Sequence, residues 1–563
     1  MYRQVLDPFG SLTLSALVAA LPLLALLILL GVFRMKSHWA GLAGLALSLV
    51  LAVVFFGMPV GQAADGALEG AAFGLFPIVW IILNAVWINK IQRTTRYWDV
   101  LGRAFSSLSN DFRIQAILVA YCFGSMIESL SGFGTPIAVT SVMLIALGLQ
   151  PLKAAAVATF ANTAPAAFGS VGNPIQALAK VTSFPADDLA SMVGRQSAFV
   201  AAIVPLVLLL MLDGRRGLRE VWPAALTAGI GFGIGQFLCS NFFAYQLTDL
   251  SAAIFSTILV IVLLKVWSPG RGVSASRLAM ALSGAGQNPT SDSDLASEPP
   301  RDGTAATEPA DEVRPPDSRR DVVVSFTPYV LLTVLFALTE IKSPVQRAVA
   351  SVGVSFEWPG LSVVGPTGKS LSITTFDFGW LAAAGTMLLL TGVLTALVMR
   401  VGPRRAARCY REAFGQIRWA VLTISSVLAL SYVMNLSGMA ISLGTWLAGI
   451  GGAFALLSGF LGWFGVALTG SDTSSNALFG AMQVAAAHRI GVSPLLLAAT
   501  NSTGGVQGKA AAMQNLCLAA SAVGMPGREG DILRKVLGWS LALLALFCLF
   551  AYLQTSVLSW MVP

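Results

Sequence analysis

Residues 469–476 read TGSDTSSN. They place one carboxylate, Asp472, and six hydroxyl or amide side chains next to a stretch, 442–468, that carries no charge. Holding a carboxylate on a spanning helix costs about 2.5–3.5 kcal/mol on insertion scales. Irregular backbone at membrane depth persists only where protein buries it or a watery cavity meets it. The cluster therefore reads as a break in a helix and as one wall of a binding site.

Composition supports the membrane setting. Of 563 residues, 56% are hydrophobic and 11% charged, with a mean hydropathy of +0.76. A soluble chain keeps about a quarter of its residues charged. Apolar runs recur, each long enough to cross a bilayer as a helix of about 18 residues or more. The fold expected is an all-α polytopic membrane protein of about 12–14 membrane segments. The net charge of +8 calls for no nucleic acid, because Lys and Arg gather in loops as topology rules require. Basic loops near 34–36, 90–113, 215–219, 400–418 and 528–535 are placed in the cytoplasm, with the N-terminus outside. The run 12–33 is too long for a signal-peptide core and is read as a retained first helix. Five scattered cysteines read as small apolar residues, and two histidines make a histidine metal site improbable, so no metal is expected.

Residues 268–320 differ in kind: rich in Ser, Pro, Asp and Glu, they cannot bury enough apolar surface to fold. They are expected to form a disordered cytoplasmic linker between a first membrane half, 1–267, and a second, 321–563. The halves share an order of features. FGSMIESLSGFGTP (123–136) precedes PLKAAAVATFANTAPAAFGSVGNP (151–174), and FGVALTGSDTSSN (464–476) precedes PLLLAATNSTGGVQGK (494–509). The offset of about 340 residues drifts by one helical turn, as a weak internal repeat does. The repeat cores are placed at about 114–212 and 443–558. The second copy begins one crossing later than the first, so the two are expected to be inverted, with broken or re-entrant helices meeting near the midplane.

At such breaks, amides at helix N-termini suit an anion, while carbonyls and hydroxyls suit a cation. Glu128 and Asp472 are the candidate proton carriers. Asn162 and Asn501 follow Ala-rich segments and are either ligands or caps; Lys509 either attracts an anion or snorkels to an interface. The run GIGFGIG (229–235) reads as close helix packing. GPTGKS (365–370) and TGGVQGKA (503–510) each lack residues of a phosphate-binding loop, so no nucleotide is expected.

ESLSGFGTPIAVT (128–140), NTAPAAFGSVGNPI (162–175), LTGSDTSSNALFG (468–480) and NSTGGVQGK (501–509) together resemble the bacterial L-lactate permease family. The resemblance implies a multi-pass protein of the bacterial inner membrane and proton-coupled uptake of 2-hydroxymonocarboxylates such as lactate and glycolate. It also implies an elevator-like motion. Mapped onto it, Ser131, Gly132, Gly134 and Thr135 fall in the first hairpin, followed by Asn162 and Thr163. Ser471, Thr473, Ser474, Ser475 and Asn476 fall in the second, followed by Asn501, Ser502, Thr503, Gln507 and Lys509. All are candidate substrate-binding residues. Partners are a small monocarboxylate anion and the lipid bilayer; no cofactor is implied, and oligomeric state stays open. A Na⁺-coupled carrier of another small carboxylate is the alternative. An intramembrane enzyme is the distant one, lacking a Gly-x-Ser-x-Gly elbow or His-Glu-x-x-His motif.

Overall fold

The computed structural model describes residues 1–33, 35–131, 134–267, 318–340, 351–366, 368, 371–526 and 528–563. Among them, seven helices are long and apolar enough to cross a membrane, from Leu12–Leu30 to Glu529–Gln554. Shorter apolar helices, such as Thr135–Ala146, Pro151–Ala161 and Ala453–Thr469, fill the space between. Thr135–Ala146 and Ala453–Thr469 adjoin the polar breaks, where each freed backbone end needs protein around it.

The two broken segments are where the sequence puts them. Gly134, in left-handed geometry at φ 76°, precedes Thr135–Ala146. Gly470, also at φ 76°, ends Ala453–Thr469, and Ser471 caps Asp472–Ile490 through its side chain. The left-handed turn favours glycine, which has no Cβ to clash. GIGFGIG packs as expected. A Cβ on Gly233 would sit 2.7 Å from the Ala198 carbonyl, and one on Gly235 would sit 2.6 Å from Ala252 Cα. The motif thus presses one helix against neighbours on both sides.

One expectation needs correction. The apolar stretch 443–468 is two helices, Met439–Leu447 and Ala453–Thr469, parted at Gly451 (φ 70°). Hydropathy is continuous across that turn and does not reveal it. Residues 186–242 form two helical stretches that meet at Asp213–Gly214, where the backbone leaves helical geometry. Beside the helices lie four short strands among the described residues: Tyr2–Arg3 pairs in parallel with Val363–Val364, and Val354–Glu357 pairs antiparallel with Thr375–Phe378. The expected linker falls outside the described residues up to 317. From Ser318 on the chain is described, and Ser318 caps the helix Arg319–Ser325.

Candidate functional site

The helices Asp472–Ile490 and Pro494–Gly508 pack on Ala453–Thr469, and Asp472–Ile490 also packs on Gly169–Thr182 of the first half. Close approach depends on small residues. A Cβ on Gly508 or Gly462 would strike the backbone of Trp463 or Asn501. This packing carries Asp472 to the wall of a cavity of about 40 Å³, room for a few waters. Glu128, Gly169, Ser170, Asn173, Ser471, Thr473 and Lys509 also line it. Both carboxylates, 344 positions apart in sequence (472 − 128), therefore face one small space.

Lys509 caps Pro494–Gly508 and is 6% exposed. Its ammonium donates to Glu128 Oε1, and Asn162 Nδ2 donates to Glu128 Oε2 at 3.0 Å. The snorkelling alternative for Lys509 is therefore not what the chain does: the ammonium is buried against a carboxylate from the other half. Asp472 Oδ2 accepts from Ser502 Oγ at 2.7 Å and from Asn476 Nδ2 at 3.3 Å. Its Oδ1 has no hydrogen-bond partner among the described residues. Each carboxylate also lies against a glycine. A Cβ on Gly169 would stand 2.8 Å from Glu128 Oε1, and one on Gly505 would stand 2.6 Å from Asp472 Oδ1.

The other sequence-selected residues divide by placement. Asn162 is the C-cap of Pro151–Ala161 and also a Glu128 donor. Asn501 lies inside a continuous helix, donating to Asn476 Oδ1 at 3.0 Å; the chain breaks later, after Gly508. Thr163 and Ser475 donate to backbone carbonyls, of Phe160 and Gly462. Gln507 donates to the Thr503 carbonyl, and Thr503 Oγ1 is unpartnered among the described residues. Gly134 faces Leu518 and Asn515, and Thr135 follows it; neither lines the small cavity. Ser131 closes the helix Gly124–Ser131, and Gly132 lies outside the described residues.

Sequence reasoning missed four residues. Asn173 and Ser170 line the cavity. Their signal lay in GSVGNP, where each polar side chain directly follows a glycine. Asp249 and Glu69 are fully buried carboxylates within apolar helices. Asp249 Oδ1 accepts from Gln236 Nε2 at 3.2 Å, and that amide also reaches the Ala164 carbonyl. An ionisable residue inside an apolar span is itself the signal.

Two wider cavities flank the site. One of about 720 Å³ is bounded by Lys36, His38, Trp419, Cys517, Ser474 and Ser471, so Ser471 belongs to both spaces. The other, about 440 Å³, meets Thr182, Ser183, His488 and Arg489. These are the far ends of the two helices that start at the small cavity.

A multi-pass helical bundle with acid groups, a paired lysine and broken helices around one buried space defines a membrane transporter rather than an enzyme. The family model of L-lactate permeases matches residues 15–558. The chain is 36% identical over 580 residues to the L-lactate permease of Escherichia coli K12, covering all of both chains. It is 35% identical over 582 residues to that of Bacillus subtilis 168, again covering all of both. With the E. coli K12 glycolate permease GlcA it shares 36% identity over 575 residues, 100% of this chain and 99% of the other. The chain belongs to the L-lactate permease family. Among solved structures, the Alcanivorax borkumensis YdaH transporter overlaps over 86% of each chain, at 13% identity and a TM-score of 0.42. That likeness is too low to carry an argument.

Proposed function

We propose that the protein takes up small 2-hydroxymonocarboxylates, L-lactate, D-lactate and glycolate among them, together with protons across the bacterial inner membrane. The observation that carries this reading is the buried pair between Lys509 and Glu128. Among the described residues that line the small cavity, Lys509 is the one cation. A substrate carboxylate needs that charge, and Glu128 already holds it. Adding a proton to Glu128 releases the ammonium, so an incoming anion meets a free cation instead of a neutralised pair. The release links proton binding to anion binding. Asp472, held by Ser502 and Asn476, is the second carrier in this scheme.

The 720 Å³ cavity runs from Lys36 to Ser471, the side assigned to the cytoplasm by its basic segments. The arrangement is thus read as inward-facing, with Gly169–Thr182 and Asp472–Ile490 closing the outer path. Inverted halves that exchange this state for its opposite would give alternating access. The test is uptake of labelled lactate or glycolate into proteoliposomes under an inward proton gradient, with choline replacing Na⁺. Accumulation abolished by a protonophore and indifferent to Na⁺ is expected. No accumulation for any 2-hydroxy acid would contradict the reading, and loss of uptake in choline would assign coupling to Na⁺.

A further inference from the structure

A left-handed turn leads into the helix that ends at Thr182: Ser170, Val171 and Gly172 have φ of 47°, 60° and 73°. Left-handed backbone is strained for a residue with a Cβ, and a β-branched residue there is a true outlier. Such strain persists only where surrounding structure holds it, and it gathers at functional sites. Here the surroundings are explicit. Gly172 lies against the Tyr245 ring, where a Cβ would come within 2.8 Å, and the Pro174 carbonyl accepts from Asn476 Nδ2 at 3.2 Å. Regular helix begins after Gly172, so the turn fixes the direction of the next side chain, Asn173.

Asn173 is 1% exposed and lines the small cavity. Its Oδ1 has no hydrogen-bond partner among the described residues. A buried amide oxygen left unpaired is destabilising, so in a native site it answers to a ligand, to a water or to a role in strain. The neighbouring groups favour the ligand. Lys509 supplies a charge for a carboxylate, while Asn173 Oδ1 is an acceptor facing the same space and requires a donor.

We propose that Asn173 reads the 2-hydroxyl of the substrate, its Oδ1 accepting the hydroxyl hydrogen while the carboxylate engages Lys509. The assignment rests on the 2-hydroxymonocarboxylate reading above. It makes Asn173 the residue that separates 2-hydroxy acids from acids of the same size without a hydroxyl donor. A site built to bond a hydroxyl discriminates against analogues lacking it far more strongly than an apolar pocket does.

The experiment is inhibition of labelled L-lactate uptake in proteoliposomes by unlabelled L-lactate, propionate and 2-fluoropropionate, the last matching the hydroxyl in size but donating nothing. Wild-type protein is expected to require about tenfold more of either analogue than of lactate, or a larger excess. In Asn173→Ala the ratio falls to within about twofold, through weaker lactate binding with propionate unchanged. Asn173→Ser, which keeps an acceptor, restores part of it. A merely structural role would weaken all three ligands together. Equal inhibition by lactate and 2-fluoropropionate in the wild type overturns the assignment without any variant. So does an unchanged ratio in Asn173→Ala. If the wild type carries no 2-hydroxy acid at all, the substrate reading falls and takes the assignment with it; carriage with unchanged discrimination removes the assignment alone.

Discussion

Gly169 and Gly505 each leave room for one carboxylate, and neither role is visible from composition. Glycine in an apolar helix usually signals close helix packing; here the neighbour is Glu128 in one case and Asp472 in the other. Gly505→Ala puts a methyl group 2.6 Å from Asp472 Oδ1. Transport by this variant should fall about tenfold or more while the protein stays folded. Gly538→Ala, where a Cβ meets nothing within 4 Å, is the neutral control. Initial uptake rates beside melting curves decide it, and equal rates for both variants would remove Gly505 from the site. At this scale Glu128, Asp472 and Lys509 could be picked out as polar groups in apolar surroundings. The Glu128–Lys509 pair could not, because it joins positions 381 apart through tertiary packing. Asn173 escaped notice for a related reason. Its position depends on Ser170 and Val171 adopting left-handed backbone, which neither residue type announces.

Elements tell a similar story. Breaks at Gly134 and Gly470 were legible because glycine, hydroxyls and a carboxylate interrupt apolar sequence there. The turn at Gly451 was not, since apolar residues flank it on both sides and hydropathy cannot register a change of direction. The kink at Asp213–Gly214 has its own clamp. Arg113, fully buried, donates to both Asp111 oxygens, at 3.1 and 2.9 Å, and to Asp213 at 2.9 Å and Glu220 at 2.8 Å. One guanidinium thus ties the start of Phe112–Ile117 to either side of the bend. Breaking a buried network by removing one partner is destabilising by about 3–5 kcal/mol. Arg113→Ala should lower the melting temperature in detergent markedly. Arg113→Lys should fail to restore it, because an ammonium cannot hold Asp111 by two nitrogens and reach the other carboxylates. A melting curve for Arg113→Lys like the wild type would show that charge alone suffices.

Over the whole molecule, the two halves meet at one small space, with a wide cavity on the basic side and another at the opposite helix ends. The multi-pass class was legible from apolar runs, and the family from four ordered motifs. The place of Ser471 between two cavities was not, because it depends on how separate helices lean together. Cys517 offers a native reporter: it is exposed and borders the 720 Å³ cavity, while the other four cysteines are buried. An impermeant thiol reagent should label it from the side of the basic loops and not from the other. Conditions that drive the carrier outward should slow that labelling by about an order of magnitude, as a population shift predicts. Labelling from the opposite side would reverse the assigned orientation. The central claim, that a proton on Glu128 frees Lys509 for the substrate, is tested most directly by Glu128→Gln in proteoliposomes. Measured there are lactate exchange without a gradient and lactate accumulation with one. The account predicts that exchange persists and its dependence on pH weakens, because Lys509 is permanently free, while proton-driven accumulation falls well below the wild-type level. Accumulation at the wild-type level would contradict it.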